Sequence, residues 1–127
     1  MNESELGAGL AATPHYRYAD LVGDQLFVAG QVPLDGAGQL VGAGDPRAQA
    51  RQCVHNLLTL VGHHGFAVSD IHRLTLYVVG RHDHLLGAWD EITIAFGHDV
   101  PPATLLGVTL LGYRDQVVEL DAVVARA

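Results

Sequence analysis

The chain is short of charge, cysteine and serine, and each shortage removes a class of function. Only 17% of its 127 residues are charged, with seven basic side chains against fourteen acidic, a formal charge of −7 at pH 7. No Lys/Arg cluster occurs along it, so the electrostatic footprint of a nucleic-acid binder is missing, and the net charge repels anionic membranes. Cys53 is the single cysteine. It excludes an internal disulfide and fits a reducing compartment. Ser4 and Ser69 are the only serines, and neither sits in a nucleophile-elbow setting, which argues against an acyl-transfer triad. No apolar run is long enough to cross a bilayer, and the opening Met-Asn-Glu-Ser-Glu-Leu lacks the basic and apolar regions of a signal peptide. The expectation is a cytoplasmic protein with no nucleic-acid and no membrane partner.

What is present is an apolar, globular composition: 49% of residues are hydrophobic. The length suits one domain over residues 1–127, with residues 1–14 as a loose N-terminal arm. So small a charged share is low for a monomer with much surface to solvate, and it favours an oligomer. Tyr16 to Leu21 and Gln25 to Ala29 read as two strands around a Gly23-Asp24 turn. Asp45-Pro46 starts a helix, with Asp at the N-cap and Pro at the first helical position. Its apolar stripe is Ala50, Val54, Leu57 and Val61, and Gly65 stops it. Ile71 to Val79 reads as an interior strand. Asp83 caps a second helix with the stripe Leu85, Trp89, Ile92 and Phe96, and Pro101-Pro102 ends it. Two further strands flank Gly112-Tyr113-Arg114-Asp115.

The order β-β-α-β-α-β-β predicts an α+β fold with one mixed sheet, both helices on one face and a hairpin at each end. Leu105, Leu106, Val108 and Leu110, with Val117, Val118 and Leu120, make both faces of the last hairpin apolar. One of those faces is left for a second copy to cover.

The candidate chemistry narrows quickly. Eight histidines include His63-His64 and His82-Asp83-His84, but neither spacing forms a metal quartet, and each has a local reason to sit near a helix end. Cys53 lies beside a core stripe with no base near it, as a packing residue does. Glu119 and Asp121 are two apart on the last strand, hence on one face. Apolar Val117 and Val123 flank them on that face, which fits a partly buried cleft better than a solvated edge. A carboxylate there can position or activate a water. Tyr16 and Trp89 are candidate aromatic walls, although Trp89 also belongs to a core stripe.

Four spaced segments carry a family likeness. They are Leu26-Phe27-Val28-Ala29-Gly30-Gln31-Val32-Pro33; Ala48-Gln49-Ala50-Arg51-Gln52 with Asn56; Ser69-Asp70-Ile71; and Pro102-Ala103-Thr104 leading to Val118-Glu119-Leu120-Asp121-Ala122-Val123. Over about Tyr16 to Ala125 the chain resembles the RidA/YjgF family of reactive intermediate deaminases. The resemblance implies a chorismate-mutase-like fold and a homotrimer, in which three sheets form a barrel with ligand clefts at the subunit boundaries. It implies hydrolysis of enamines or imines to 2-oxo acids and ammonia, with no cofactor and no metal. By the same likeness Gly30 matches the motif glycine that contacts ligand, Glu119 the glutamate that positions water, and Tyr16 a tyrosine of the cleft wall. Trp89 stands where deaminases have an asparagine.

One position departs from the pattern. The family places an arginine after Pro-Ala to clamp the substrate carboxylate bidentately, and here Thr104 follows Pro102-Ala103. Arg17 and Arg73 are the candidates to replace it. The expected activity is therefore a cofactor-independent hydrolase or deaminase on a small imine, enamine or related metabolite, other than the standard 2-imino acid reaction. The alternative is a non-catalytic small-molecule-binding or regulatory trimer using the same cleft, with Glu119 in the catalytic role only under the first reading. A ribonuclease or translation-inhibitor role, names attached to some family members, conflicts with the acidic charge.

Overall fold

The computed structural model describes residues 2–127. A short helix α1 (Glu3–Gly7) precedes strands β1 (Ala19–Val22) and β2 (Gln25–Val28), the long helix α2 (Pro46–His63), and strand β3 (Ile71–Val79). Helix α3 (His82–Ala95) and strands β4 (Ala103–Val108) and β5 (Val118–Ala125) complete the order. Local chemistry explains the two long helices. The Asp45 carboxylate accepts from the backbone N–H of Arg47 and Ala48, and Pro46 opens α2, which satisfies donors that the first turn leaves free. Gly65 takes the positive φ of 81° that reverses the chain after α2, a conformation open to glycine at no steric cost. The α3 start differs by a residue or two from expectation: Arg81 is the N-cap, and Asp83 lies in the first turn, where its charge still complements the helix dipole.

The sheet has the order β1-β2-β5-β3-β4. Pairings are antiparallel except for β3 with β4, which run parallel. This corrects the C-terminal hairpin expected from the sequence. Helix α3 carries the chain back so that β4 starts beside β3 in the same direction, as a strand-helix-strand crossover does. Residues 109–117 then bring β5 into the slot between β2 and β3, where both of its edges find partners. The strand expected first also starts later: β1 begins at Ala19, so Tyr16 precedes it.

Cross-strand partners share a face, and alternate residues point to opposite sides. Val118, Leu120 and Val124 of β5, with Leu74, Leu76 and Val78 of β3, are buried in a core cluster that includes Ala50, Val54, Leu57 and Ile92 of α2 and α3. Both long helices thus cover one face. The opposite face carries Glu119, Asp121 and Val123 of β5, Arg73, Thr75 and Tyr77 of β3, Thr104 and Leu106 of β4, and Phe27 of β2, by register. It is the open face. Phe27, Leu106 and Val123 are each more than 40% exposed there.

The N-terminal arm is not loose, contrary to expectation. Asn2 clips it closed, donating to the Ala11 carbonyl (2.7 Å) and accepting from the Thr13 N–H (2.8 Å). Glu5 meets His64 at 2.8 Å, and Leu10 is buried with Tyr18 and Leu60 in a second, smaller cluster. Apolar contact with the C-terminal part of α2 is what orders it.

Candidate functional site: the cleft beside Glu119

Buried amides set the site's geometry. Gln49 is fully buried on α2. Its Oε1 accepts from the N–H of Val117 (2.7 Å) and Val118 (3.1 Å), and its Nε2 donates to the carbonyls of Gly42 and Asp115. The entry to β5 is therefore pinned from within the core. Gln52 donates to Asn56, and Asn56 donates to the carbonyls of Val32 and Leu34. These bonds hold the segment after β2 against the same helix. The motif residues Gln49, Gln52 and Asn56 are thus structural: they supply hydrogen bonds to backbone that lies outside the sheet ladder.

Gln31 exchanges backbone hydrogen bonds with Leu120, at 2.7 and 3.1 Å. That bridge seats Gly30 directly against Glu119. A Cβ built on Gly30 falls 2.5 Å from Glu119 Oε2 and 2.9 Å from its carboxyl carbon, so any larger residue there makes the Glu119 side chain move. The Gly30 N–H and carbonyl find no backbone partner among the described residues and are free to meet a ligand.

Glu119 is half-buried, and burial pushes its carboxyl above the ordinary range. A hydrogen bond from Gln116 opposes that rise, and the charge of Asp121 adds to it. Gln116 is itself buried. Its Nε2 donates to the Val118 carbonyl (3.0 Å) and to Glu119 Oε1 (3.3 Å), while its Oε1 accepts from the Tyr113 N–H (3.1 Å). Tyr16 completes the group. Partial burial raises its hydroxyl pKa, and neighbouring Tyr113 and Glu119 raise it further. Val79, Leu110, Gly112, Tyr113, Gln116 and Val117 line an open cleft of about 400 Å³ next to these residues. A larger hollow of about 580 Å³ lies elsewhere, between Ser69, His72, Phe96, Asp99 and Pro102. Glu119 lines neither, but the smaller cleft includes Gln116, which donates to Glu119, and the larger hollow includes no residue bonded to it.

The expected site residues divide into three groups. Tyr16, Gly30 and Glu119 come together. Thr104 lies on the same open face but two strands away, with Tyr77 and Thr75 of β3 between. Strand spacings of roughly 4.8 Å and two residues of offset put Thr104 about 12 Å from Glu119. Trp89 joins neither. It is partly buried and packs against the core cluster on the helix side of the sheet, so it walls no cleft with Glu119 in this chain. Of the two candidate arginines, Arg17 pairs with Asp20 at 3.1 Å. Arg73 reaches Thr104, its Nη2 donating 2.6 Å to Oγ1.

Gln116, Tyr113 and Tyr77 are site residues that the sequence did not single out. Tyr77 donates its hydroxyl to Asp121 (2.9 Å), and that bond, with burial, raises its own pKa. The only signal was position: Gln116 and Tyr113 fall just before the strand that carries Glu119. Cys53 is buried under β5, and burial raises its thiol pKa well above the usual range, opposite to an activated nucleophile. Among the described residues no three His, Cys, Asp or Glu side chains cluster to hold a metal, and no helix is long and apolar enough to cross a membrane.

Comparison with known proteins agrees with the fold. The family model described as Endoribonuclease L-PSP matches residues 7–126. A RutC family protein of Pyrococcus horikoshii is 28% identical over 109 residues, covering 85% of this chain and 84% of the relative. A RutC family protein of Sulfurisphaera tokodaii is 25% identical over 111 residues, covering 87% of each. Among solved structures, a putative endoribonuclease of Thermotoga maritima superposes with a TM-score of 0.82 at 25% identity, covering 94% of this chain and 93% of the other. The YjgF gene product of E. coli superposes with a TM-score of 0.78 at 24% identity, covering 94% of both. With its mixed five-stranded sheet, one helix-covered face and a family match over nearly its whole length, the chain belongs to the Endoribonuclease L-PSP family, which includes the YjgF, RidA and RutC proteins.

Proposed function

We propose that the protein is a cofactor-independent hydrolase that deaminates a small imine, enamine or related metabolite, with Glu119 as the group that activates water. One observation carries this reading. A half-buried carboxylate with a raised pKa sits against the free backbone of Gly30, beside an open cleft. A raised pKa brings a carboxylate nearer the poise of a general base at neutral pH. Glu119 takes a proton from water as the oxygen adds to the imine carbon. That proton passes to the nitrogen to give the neutral carbinolamine. Glu119 then takes the proton of the new hydroxyl and delivers it to the nitrogen as the C–N bond breaks, so ammonia leaves, the C=O bond forms and Glu119 is ionised again. Tyr113 walls the cleft with Tyr16 beside it, and Gly30 offers hydrogen bonds to the substrate.

The same proposal extends to assembly and setting. Thr104 and Arg73 lie too far from Glu119 in one chain for a small molecule to touch both. A homotrimer in the cytoplasm, with the Glu119 group of one copy facing the Thr104 strand of the next, brings them to one cleft. The exposed Phe27, Leu106 and Val123 on the open face support that packing. Light scattering that gives a monomer at micromolar concentration overturns the trimer.

The hydrolase reading is tested by ammonia release from a panel of freshly generated small imines and enamines. In it, 2-iminobutyrate and 2-iminopropionate stand for the standard 2-imino acid reaction and are not the expected substrates. Turnover is expected for wild type, with a loss on the order of 100-fold or more in Glu119→Gln, as for removal of a general base. Unchanged activity in that variant removes Glu119 as the catalytic group. Thr104, in place of the family's arginine, favours a second reading: a trimer that binds a metabolite without converting it. Saturable binding with no ammonia released from any imine selects it.

A further inference from the structure

We infer that Gln116 is a positioning residue that commits one oxygen of Glu119, Oε2, to carrying the proton and fixes the other, Oε1, as a hydrogen-bond acceptor. The inference deepens the proposed function and rests on its reading of Glu119 as the base. Gln116 is only 3% exposed, and two of its three partners are backbone groups. The Gln116 side-chain oxygen accepts from the Tyr113 N–H at 3.1 Å, and its Nε2 donates to the Val118 carbonyl at 3.0 Å. A backbone N–H can only donate and a carbonyl can only accept. Those two groups therefore decide which end of the amide is oxygen and which is nitrogen. Turned the other way, the amide would set donor against donor at Tyr113 and acceptor against acceptor at Val118, both inside the protein, where unmet polar groups are costly. The second N–H of the amide thus faces Glu119 Oε1, at 3.3 Å, whatever the protonation state of the carboxyl.

An oxygen that faces an N–H offers a lone pair and has no place there for a hydrogen of its own. The proton that Glu119 gains goes to Oε2. The other titratable and charged groups around it leave that oxygen free. Asp121 lies two residues along the strand and accepts from Tyr77, which stands opposite Glu119 on β3. Arg73, further along β3, is turned to Thr104. Cys53 lies beneath on α2 and bonds to the Val118 carbonyl, and Tyr16 and Tyr113 stand at the cleft. Among the described residues only Gln116 hydrogen-bonds to the Glu119 side chain. Oε2 turns to Gly30, 2.5 Å from where a Cβ would stand, beside an N–H and a carbonyl that have no backbone partner. A water or ligand seated on that backbone meets Oε2. One oxygen then both takes the proton and returns it, so the attacking water and the departing nitrogen lie on the Gly30 side, and no second acid is needed.

The test reads the proton's seat by infrared spectroscopy of the full chain, labelled with carbon-13 at the glutamate side-chain carboxyls. Glu3, Glu5, Glu91 and Glu119 are the glutamates of the chain, and subtracting the spectrum of Glu119→Gln isolates the Glu119 band. With the proton on Oε2, the C=O of the acid is at Oε1 and accepts from Gln116, which holds its stretch at low wavenumber. Gln116→Leu should move that stretch upward during acidification. Gln116→Met, of the same length and without an amide, should move it equally and serves if the leucine variant fails to fold. Gln52→Leu, which removes a buried-helix amide with no bond to Glu119, should leave the band in place. On whichever imine the wild type turns over, both Gln116 variants should lose about tenfold in kcat, the scale of one hydrogen bond to a charged group, with KM within about twofold. Far-UV circular dichroism confirms that each variant is folded.

A band that stays in place in both Gln116 variants overturns the inference, because the C=O would then not be the oxygen that Gln116 holds. So does an equal shift in Gln52→Leu, or a kcat untouched in both Gln116 variants while Glu119→Gln abolishes turnover. A band that shifts as expected, in a protein whose turnover ignores Glu119→Gln, sinks the hydrolase reading and leaves the seat of the proton standing. Glu119-dependent turnover with a band that ignores Gln116 does the reverse.

Discussion

Gly30→Ala is the perturbation that the site answers most directly. Gly30 is not among the positive-φ residues, so alanine meets no backbone penalty there, and the whole effect falls on Glu119. The new methyl would lie 2.5 Å from Oε2, 2.9 Å from Cδ and 3.4 Å from Cγ. Normal packing distance requires the carboxylate to retreat by about 1 Å. Leaving its rotamer costs about 0.5–1.5 kcal/mol, and losing the long Gln116 hydrogen bond costs about 1 kcal/mol more. The stiffer unfolded chain returns about 0.4–1 kcal/mol. The net is a destabilisation of about 1 kcal/mol. In a Glu119→Ala background nothing remains to collide with, and the same substitution should stabilise by about 0.4–1 kcal/mol. Urea unfolding of the four proteins, at one protein concentration, measures the coupling, expected at about 1–3 kcal/mol. If Gly30→Ala has the same effect in both backgrounds, the close contact between Gly30 and Glu119 is wrong. On the proposed function, a 1 Å displacement of the base also lowers turnover by roughly 100-fold, far more than the stability change implies.

Other outcomes follow from the same geometry. Glu119 has a raised pKa when folded, so the folded state holds its proton more tightly than the unfolded one. Its contribution to stability is present below about pH 4.3, its ordinary value, and is lost as pH rises through the folded value. Glu119→Gln should therefore gain stability relative to wild type on going from pH 4 to neutral, and a flat difference across that range contradicts the burial argument. The acid limb of turnover should likewise lie above the ordinary carboxylate range, and Gln116→Leu, which removes a hydrogen bond favouring the ionised form, should move it higher. Gln49→Leu strips partners from two N–H groups and two carbonyls and should cost about 3 kcal/mol or more in urea unfolding; a cost below 1 kcal/mol contradicts its role as the pin of β5. Leu10→Ala, under the arm, should cost about 2–5 kcal/mol, whereas a truly loose arm shows no change in melting temperature.

The parts of this fold that depend on near neighbours along the chain are legible in the residues themselves. Asp45-Pro46 announces α2, the stripe Ala50-Val54-Leu57-Val61 names its buried face, and the strand Ile71–Val79 has the bounds expected of it. Long-range choices are not legible in the same way. Alternating apolar residues on β4 and β5 fit a hairpin as well as they fit two strands separated by β3, because the pattern fixes which face is buried and not which strand lies beside it. The arm is hidden for a similar reason: Asn2 and Glu5 acquire roles only when Ala11, Thr13 and His64 arrive beside them. At the site, Gly30 and Glu119 are marked by motif, and Tyr16 with them. Trp89 misleads because its helical stripe and the site lie on opposite sides of the sheet. Gln116 carries no local signal, and the link from Arg73 to Thr104 needs the parallel register of β3 and β4 to be seen.

The central place of β5 also governs the order in which the molecule can be made. Strand β2 meets only β1 and β5, and β3 meets only β4 and β5. Without β5 the sheet is two separate pairs, a hairpin and a parallel ladder, with no hydrogen bonds between them. Contacts that join the halves span long stretches of sequence, so loop closure is slow and comes late. On a ribosome, α2 and α3 can form early, but their apolar faces wait for the last strand to emerge. The strand that carries Glu119 is thus the one that closes the sheet, so Glu119 reaches its place beside Gly30 only when the two halves of the sheet are joined.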